Sequence, residues 1–419
     1  MTDKFWKFFT SLRLTVVCLG FGILLVFLGT LAQVHEGLWN AQTRWFRNFV
    51  VLRETGDPWW VPPIFPGGYL IGCMLLLNLI AAHVKRFRLT WRQAGINLTH
   101  FGVILLLVGQ LATDMFSRET IMDLREGQPK VYSEAHRDFE LVFQHPVDGA
   151  NDEVVAIPAE MVKAGAEIRH EKLPFVVQVK TYWLNSEPQF RAPMQQSAEP
   201  PLTDKGIARD WDFHEMPEAH GMDDRNLPTA VLVIRGNAGE DLGTWVASAW
   251  AGDSTVVEGV QRSYARSVGA DVAESIGAKL SAPQEFDAGG SKWRVSLRPA
   301  RAYKDFSVTL LKTTHEVYPG TSIPKNFNSR VRIDNPGTGE KREAEVYMNN
   351  PLRYRGLTFY QSTMSAGEGR SGLQVVRNPS WLTPYFGCLI VGLGLIVQFG
   401  YHLIGFITKR RTAVAPAAA

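Results

Sequence analysis

Four long apolar segments divide the chain, at residues 14–31, 67–83, 95–113 and 382–407. Each is close to the ~20 residues that a helix needs to cross the ~30 Å hydrocarbon core of a bilayer. Because a bilayer offers no water to unpaired backbone groups, all four segments are predicted to be transmembrane helices. The second and third, joined by a short basic turn, are predicted to form a transmembrane hairpin.

The first apolar segment follows Lys4, Lys7 and Arg13, an arrangement that secretory signal peptides also have. The segment is long and no clean small-residue cleavage pattern follows it, so we interpret it as a retained helix, with a cleaved signal peptide as the alternative. A loop rich in tryptophan and proline follows, at residues 34–66. Its tryptophans are typical of anchors at the membrane interface.

Basic residues lie in three places: before the first span, between the second and third, and after the fourth. The middle cluster comprises Lys85, Arg86, Arg88 and Arg92, and the last comprises Lys409, Arg410 and Arg411. With four spans, all three clusters fall on one side, which the positive-inside rule makes the cytoplasm. The sequence therefore predicts a multi-pass protein of the cytoplasmic (inner) membrane, with both termini cytoplasmic and residues 114–380 periplasmic.

Residues 114–380 are predicted to be β-rich. Apolar and polar side chains alternate in residues 173–183, 229–236, 291–299, 303–313 and 328–335, and turn-forming residues separate these runs. Such alternation is typical of half-buried antiparallel strands. The pattern fails between residues 185 and 228, which we interpret as a long surface excursion. A short helix is predicted near residues 256–268.

The predicted fold class is thus a membrane protein with four transmembrane α-helices and a large extracytoplasmic β-rich domain, sandwich or barrel-like, between the third and fourth. The predicted segments are residues 1–33 with the first helix, 34–66 as an external loop, 67–113 with the second and third helices, 114–380 as the β-rich domain, 382–407 as the fourth helix, and 408–419 as a cytoplasmic tail.

Composition excludes several classes of function. The net charge of +3 over 419 residues gives no basis for nucleic-acid binding. Cys18, Cys73 and Cys388 all fall inside apolar segments, without CxxC spacing, so the β-rich domain has neither a disulfide nor a thiol redox centre. We find no phosphate-binding glycine motif, no HExxH and no catalytic constellation.

Histidines inside the apolar segments are the main candidates for chemistry. His83, His100 and His402 are placed by the predicted topology on the cytoplasmic side of the membrane. A neutral imidazole is a common metal and haem ligand, although an interhelical hydrogen bond is the structural alternative. Gly102 and Gly109 fall on one helix face, where another helix or a flat macrocycle could approach closely. The histidines of residues 114–380 are predicted to be solvated: His136, His145, His170, His214, His220 and His315.

Three sequence blocks carry a resemblance to a known family. They are VYMNNPLRYRGLTFYQS at residues 346–362, KDFSVTLLK at 304–312 and TSLRLTVVCLGFGILLVFLGTLAQ at 10–33. Together they resemble the ResB (CcsB) family of system II cytochrome c biogenesis, over nearly the whole chain. No tryptophan-rich segment of the CcsA type is present in the sequence, so the chain resembles the separate ResB-like subunit and not the fused form.

The resemblance implies export of haem b across the membrane with a CcsA (ResC)-like membrane subunit, and its presentation to the CxxCH thiols of apocytochrome c. It implies a non-catalytic or co-catalytic subunit of a holocytochrome c synthase, with thiol reduction left to a thioredoxin-like protein. By the context THFGVILLLVG, it makes His100 the first candidate for an axial ligand of the haem iron. His83 is the second candidate ligand, and Arg86 is a candidate partner of a haem propionate.

Two alternatives remain open from the residues. One is a membrane-anchored periplasmic scaffold or binding module whose histidines are structural. The other is a haem b electron-transfer subunit, which needs two histidines on facing helices. The Asn349-Asn350-Pro351-Leu352 stretch is predicted to form a tight turn, with Arg353 and Tyr354 after it as supports of the turn or as a docking surface.

Overall fold

The structure is a computed structural model that describes residues 2–148, 151–191, 200–203, 205–219, 221, 224–321, 324–365 and 369–414. Eight helices are α1 (Thr2–Phe9), α2 (Leu12–Ala41), α3 (Gly68–Arg86), α4 (Trp91–Phe116), α5 (Ala249–Gly252), α6 (Ser254–Val268), α7 (Ala270–Leu280) and α8 (Thr383–Val414) in this part of the chain. The first strands are β1 (Val50–Leu52), β2 (Ile64–Pro66), β3 (Arg118–Arg125), β4 (Pro129–Pro146), β5 (Asp152–Pro158), β6 (Glu167–Ile168), β7 (Phe175–Trp183), β8 (Ser186–Phe190) and β9 (Trp211–Glu215). The later strands are β10 (Thr229–Gly236), β11 (Asp241–Ser248), β12 (Gln284–Ala288), β13 (Ser291–Val317), β14 (Pro324–Asn335), β15 (Glu340–Tyr347), β16 (Leu352–Tyr354), β17 (Leu357–Ser365) and β18 (Arg370–Arg377).

The predicted fold class is confirmed. Among the described residues, four helices are long and apolar enough to cross a membrane: α2 with the turn that follows it, α3, α4 and α8. The β-rich region lies between α4 and α8, and all five predicted strand segments are strands, while α6 matches the predicted short helix. The chain forms two compact units, the first from the described residues of 1–118 and 377–419 with Gly221, and the second from those of 119–219 and 224–376.

In the first unit, α2 continues beyond the apolar run and bends before its end. Gly37 has φ 74°, a left-handed conformation that glycine adopts without steric cost, and a π-helical turn follows at Gln42–Phe46. Trp45 in that turn is fully buried against β2 and α2, so the prediction that the tryptophans of this loop are interfacial anchors is wrong for Trp45.

The loop after α2 is fixed by a cluster of charges around Arg44. Its guanidinium donates to Glu36 at 2.7 Å, to both carboxylate oxygens of Asp57 and to the carbonyl of Leu52. The side chains of Arg44, Glu36 and Asp57 are all less than a fifth exposed. This cluster therefore ties the bend of α2 to the loop that returns to α3.

Asn78 is a buried polar residue in the middle of α3. Its amide nitrogen donates to the carbonyls of Phe9 and Ser11, and its amide oxygen accepts from the hydroxyl of Thr15. These bonds satisfy backbone carbonyls at the break between α1 and α2. A polar side chain within an apolar span is favourable when it is paired in this way.

The helices α4 and α8 pack closely along a row of glycines. Gly95, Gly102 and Gly109 are buried. A Cβ at Gly102 would lie 2.7 Å from Cγ2 of Val391, and one at Gly95 would lie 2.6 Å from the backbone nitrogen of Gln398. The prediction that Gly102 and Gly109 allow another helix to approach is confirmed, and Gly95 extends the row.

The second unit contains a sheet of ten strands that curls into a barrel at one end. Along the sheet the order is β15-β14-β13-β4-β3-β18-β17-β16, with β12 and β5 paired to β13 and β4. The bridge Tyr347–Asn350 joins the end of β15 to the turn before β16, so the first and last strands of this order meet, and the bridge Glu126–Leu310 joins the end of β3 to β13. The barrel interior is apolar, with Phe359, Met122 and Val331 among its fully buried side chains.

The other end of the ten-stranded sheet packs on a four-stranded sheet of order β11-β10-β7-β6. A second core lies between them and includes Phe143, Phe175 and Trp293. A third core lies beneath α6 and α7 and includes Trp211 and Phe213 of β9, which pairs with β8. The predicted surface excursion at residues 185–228 is therefore wrong for these strands, because their aromatic residues pack inward. Residues 192–199, within that interval, lie outside the described part of the chain.

The α4–α8 contact predicts a sharp effect of side-chain size. We expect Gly102→Leu to lower the free energy of unfolding by about 1–3 kcal/mol, because the new side chain meets Val391 and backbone atoms of α8. Gly392→Leu is the matched control, since a Cβ at Gly392 meets nothing within 4 Å. Thermal unfolding in detergent measures both, and equal midpoints would contradict the packing.

The Arg44 cluster predicts a pH dependence. The hydrogen bond from Arg44 holds the pKa of Asp57 below its ordinary value of 3.8. A carboxyl group with a lowered folded-state pKa stabilises the fold above its ordinary pKa, and this stabilisation is lost as pH falls through the folded value. We expect Asp57→Asn to lower the free energy of unfolding by about 1–3 kcal/mol at pH 7, between the values for exposed and buried ion pairs. The difference in unfolding free energy between the variant and the wild type should become smaller below pH 3.8.

Glu54→Gln is the control for that experiment, because Glu54 lies 3.9 Å from Arg44 and is 73% exposed. Its unfolding midpoint should follow that of the wild type at every pH. If the difference in unfolding free energy between Asp57→Asn and the wild type stays constant across the acid range, the charge of Asp57 does not contribute to stability.

Candidate functional site

The candidate site lies where α3 ends and α4 begins. His83, Lys85 and Arg86 occupy the last turn of α3, where basic side chains complement the negative end of the helix dipole. Phe87 then takes an extended conformation and ends the helix, and α4 begins at Trp91. The short connection makes α3 and α4 antiparallel neighbours, so residues on either side of the turn can meet.

His83 and His100 meet across this hairpin. Their ring centroids are 6.0 Å apart, with an angle of 72° between the ring planes. Both side chains are half-buried, and Phe87 packs edge-on against His83 with a centroid distance of 5.4 Å. The structure therefore brings the two predicted candidate ligands together at one end of the span pair.

The two cations beside the pair differ in their contacts. Lys85 donates to the hydroxyl of Thr10 at 3.3 Å, so it is tied to the start of the first span. Arg86 is exposed, and its charge acts on His100. Arg86 is therefore the cation next to the imidazole pair that is open to an external anion.

His402 is held differently. It lies on α8, is exposed, and its Nε2 is 2.7 Å from the side-chain nitrogen of Gln398. Among the described residues, no ring contact joins His402 to His83 or His100. His402 therefore does not take part in the imidazole contact of His83 and His100.

The donor set limits what the site can bind. In the described part of the chain, no group of three or more His, Cys, Asp and Glu side chains is placed to hold a metal ion. The pair offers two imidazoles and no thiolate, which does not fit a closed four-ligand zinc site. Two imidazoles with an adjacent guanidinium do fit haem, whose iron takes axial imidazoles and whose propionates pair with arginine.

The histidines of the second unit are less solvated than predicted. The prediction is wrong for His145, whose side chain is 15% exposed and stacks on Trp293 at a centroid distance of 4.2 Å. His145 also contacts Glu153, and a hydrogen bond from Lys172 lowers the pKa of that carboxyl. His136 is half-buried in a cavity beside Asp123. His170, His214 and His315 are exposed as predicted, and His220 lies outside the described residues.

The tight turn predicted at residues 349–352 lies two residues earlier, at residues 347–350, and Leu352 already begins β16. Tyr347 and Asn350 exchange both backbone hydrogen bonds, and Asn349 between them has φ 60°. The hydroxyl of Tyr354 donates to Glu340 and accepts from Asn335, and its ring packs on Phe306 at 4.9 Å. This turn and Tyr354 therefore support the barrel.

From the sequence alone, His83 was only the second candidate ligand and Asn78 was not identified. A signal was available for both, because each is a polar side chain within or at the edge of an apolar helix, where an unpaired group is costly. The partner of each side chain lies 17 or more residues away in the sequence. The partners of His83 and Asn78 could therefore be identified only from the three-dimensional structure.

The imidazole pair predicts metal chelation that does not depend on haem. Two imidazoles this close can share one divalent ion, and Cu²⁺ binds nitrogen donors most strongly in the first-row series. We expect Cu²⁺ to raise the unfolding midpoint of the purified wild type, because an ion that binds only the folded state stabilises it. His83→Ala and His100→Ala should each abolish the rise, and His402→Ala should keep it. An equal rise in all four proteins would contradict the pairing.

Comparison with known proteins gives two matches. Residues 285–371 match the profile of the ResB-like family, and this segment runs from β12 to the start of β18 in the second unit. Protein NrfI of Wolinella succinogenes is 30% identical over 91 residues, which is 22% of this chain and 10% of NrfI. The chain thus spans about a tenth of the length of this curated relative.

The matched segment includes two of the three blocks on which the resemblance rested, at residues 304–312 and 346–362. These blocks form the middle of β13 and the turn region from β15 to β17. In this segment of its β-rich unit, the chain is similar to the ResB-like family.

Proposed function

We propose that this protein is a subunit of the system II cytochrome c biogenesis complex. With a CcsA-like membrane subunit it exports haem b and presents it for covalent attachment to the CxxCH thiols of apocytochrome c. The match of residues 285–371 to the ResB-like family supports the assignment to cytochrome c biogenesis. Haem is the cargo in this proposal, and the chain holds it only in passage.

The pair His83–His100 is the observation that carries the haem part of the proposal. It places two imidazoles at the basic end of α3 and α4, next to the exposed Arg86. In this proposal His100 is the axial ligand from this chain and Arg86 binds a propionate. His83 stabilises the bound state as a neighbouring donor, and the partner subunit supplies a ligand on the other face of the macrocycle.

The orientation follows from the basic residues. With the basic turn after Arg86 on the cytoplasmic side, His83 and His100 lie where cytoplasmic haem enters, and the β-rich unit is periplasmic. That unit is then available to hold the apocytochrome. The three cysteines lie on α2, α3 and α8, so a separate thioredoxin-like protein must keep the CxxCH thiols reduced.

Two observations favour other functions. The family match falls in the β-rich unit, which favours a membrane-anchored scaffold that binds its partners through that unit. The contact between histidines of α3 and α4 favours a haem b electron-transfer subunit, which needs two histidines on facing helices. Haem binding separates the proposal from the scaffold, and cytochrome c maturation separates it from electron transfer.

The test uses the complex purified with its CcsA-like partner. We expect the wild type to show the optical spectrum of haem b, and His100→Ala to lose that spectrum together with most cytochrome c maturation, measured by covalent-haem stain. His83→Ala should retain haem with weakened binding, because the axial ligand remains. His402→Ala is the matched control and should behave as wild type.

Two results would overturn the proposal. Normal haem content and normal maturation in both His100→Ala and His83→Ala would leave the chain as a scaffold. Loss of haem with normal maturation would leave electron transfer as the function of the pair.

A further inference from the structure

A groove of about 790 Å³ lies among α2, α3 and α4 in the first unit. It lies toward the start of α3 and the end of α4, at the opposite end of these helices from His83 and His100. Its size is within the range of small-molecule sites, about 300–1,000 Å³. No histidine lines it.

The lining changes from polar to apolar along all three helices. On α4 it passes from Asp114 through Gln110 to Leu107, and on α3 from Tyr69 through Gly72 to Leu76. On α2 and its π-helical turn the polar end is formed by Gln42 and Gln33, followed by Val26 and Gly22. A site with this gradient fits an amphiphile whose head lies at the Asp114 end and whose tail points toward the middle of the span.

Three amide side chains at this groove have no hydrogen-bond partner among the described residues. They are Gln33, Gln42 and Gln110. All three belong to segments apolar enough to span a membrane. An amide that finds no partner in hydrocarbon is costly, and each offers both a donor and an acceptor to a ligand head.

The charge at the polar end is balanced. Arg47 lies 3.0 Å from Asp114, and the hydroxyl of Tyr69 also donates to Asp114. One cation and one anion therefore neutralise each other there. This balance disfavours haem, with its two propionates, and anionic lipids, and it favours a neutral head that carries hydrogen-bond acceptors.

Two glycines leave the groove wall without side chains. A Cβ added at Gly22 or at Gly72 would meet nothing within 4 Å. Packing within this chain therefore does not require glycine at either position. Gly72, near the polar end, gives a planar ring room to lie against the backbone of α3, and Gly22, at the apolar end of α2, leaves room for a tail.

We propose that this groove binds a membrane quinone, a neutral amphiphile with a planar, carbonyl-bearing ring and a prenyl or alkyl tail. The carbonyl oxygens accept from Gln33, Gln42 and Gln110, the ring lies against Gly72 near the polar end, and the tail follows Leu76, Leu107, Val26 and Gly22. The proposal concerns binding and stands independently of haem passage at His83 and His100.

The thiol of Cys73 can report whether the groove is occupied. Cys73 is half-buried and lines the groove, whereas Cys388 is exposed on α8 outside it. The experiment measures alkylation of both thiols by a lipid-soluble maleimide in detergent, with a decyl benzoquinone as the probe. The probe is fully substituted on the ring, so it does not alkylate thiols. At about ten times its Kd, it should slow alkylation of Cys73 by about tenfold and leave Cys388 unchanged, because protection follows occupancy.

A matched pair of variants tests the location. Gly22→Leu fills the groove, whereas Gly20→Leu adds the same side chain on the same helix, also with nothing within 4 Å, but outside the lining. We expect Gly22→Leu and Gly72→Leu to lose protection of Cys73, and Gly20→Leu to keep it. Unchanged alkylation of Cys388 in each variant confirms that α8 is folded as in the wild type.

Three results would overturn the proposal. They are equal protection in Gly22→Leu and Gly20→Leu, equal protection by monoolein, which would make the groove a site for any lipid tail, and equal protection by haemin. Because the readout contains no haem, its failure leaves the test of His100 unaffected, and failure at His100 leaves this one unaffected.

Discussion

The close packing of α4 on α8 fixes the rest of the candidate site. Gly95, Gly102 and Gly109 face α8, and a side chain at any of them would collide with that helix. His100 lies two residues from Gly102 and therefore about 160° away around the helix axis. The glycine face thus sets the rotation of α4, and that rotation directs His100 toward α3, where it meets His83.

Polar side chains inside the spans of the first unit fall into two groups, those that are paired within the chain and those that are not. Asn78 is fully paired within the chain and fixes the break before α2. Arg44 is paired with two carboxylates and fixes the bend after it. In the described part of the chain, by contrast, the imidazoles of His83 and His100 and the groove amides have no hydrogen-bond partner. An unpaired polar group is costly in a bilayer, and this difference is the basis of the two proposals for these positions.

Most of the fold could be predicted from the sequence because its signals are local. Apolar length identified the four spans, and period-two alternation identified β7, β10, β13 and β14. Local sequence patterns did not predict burial that depends on residues far away in the sequence. Trp211 and Phe213 pack beneath α6 and α7, although their neighbours in the sequence are polar and proline-rich. The same limit applies to the site. His100 was identifiable from its apolar context, but the contact with His83 depends on the rotation of two helices, which no local pattern encodes.

The most direct test of the central claim asks which protein supplies the axial nitrogen of the haem. This chain is labelled with ¹⁵N-histidine and assembled with an unlabelled CcsA-like partner, and the ferric haem is examined by pulsed electron paramagnetic resonance. If His100 is an axial ligand, the spectrum of the wild type shows a hyperfine coupling to ¹⁵N, and this coupling is lost in His100→Ala. Coupling to unlabelled nitrogen alone in the wild type would place both axial ligands on the partner and contradict the role of His100.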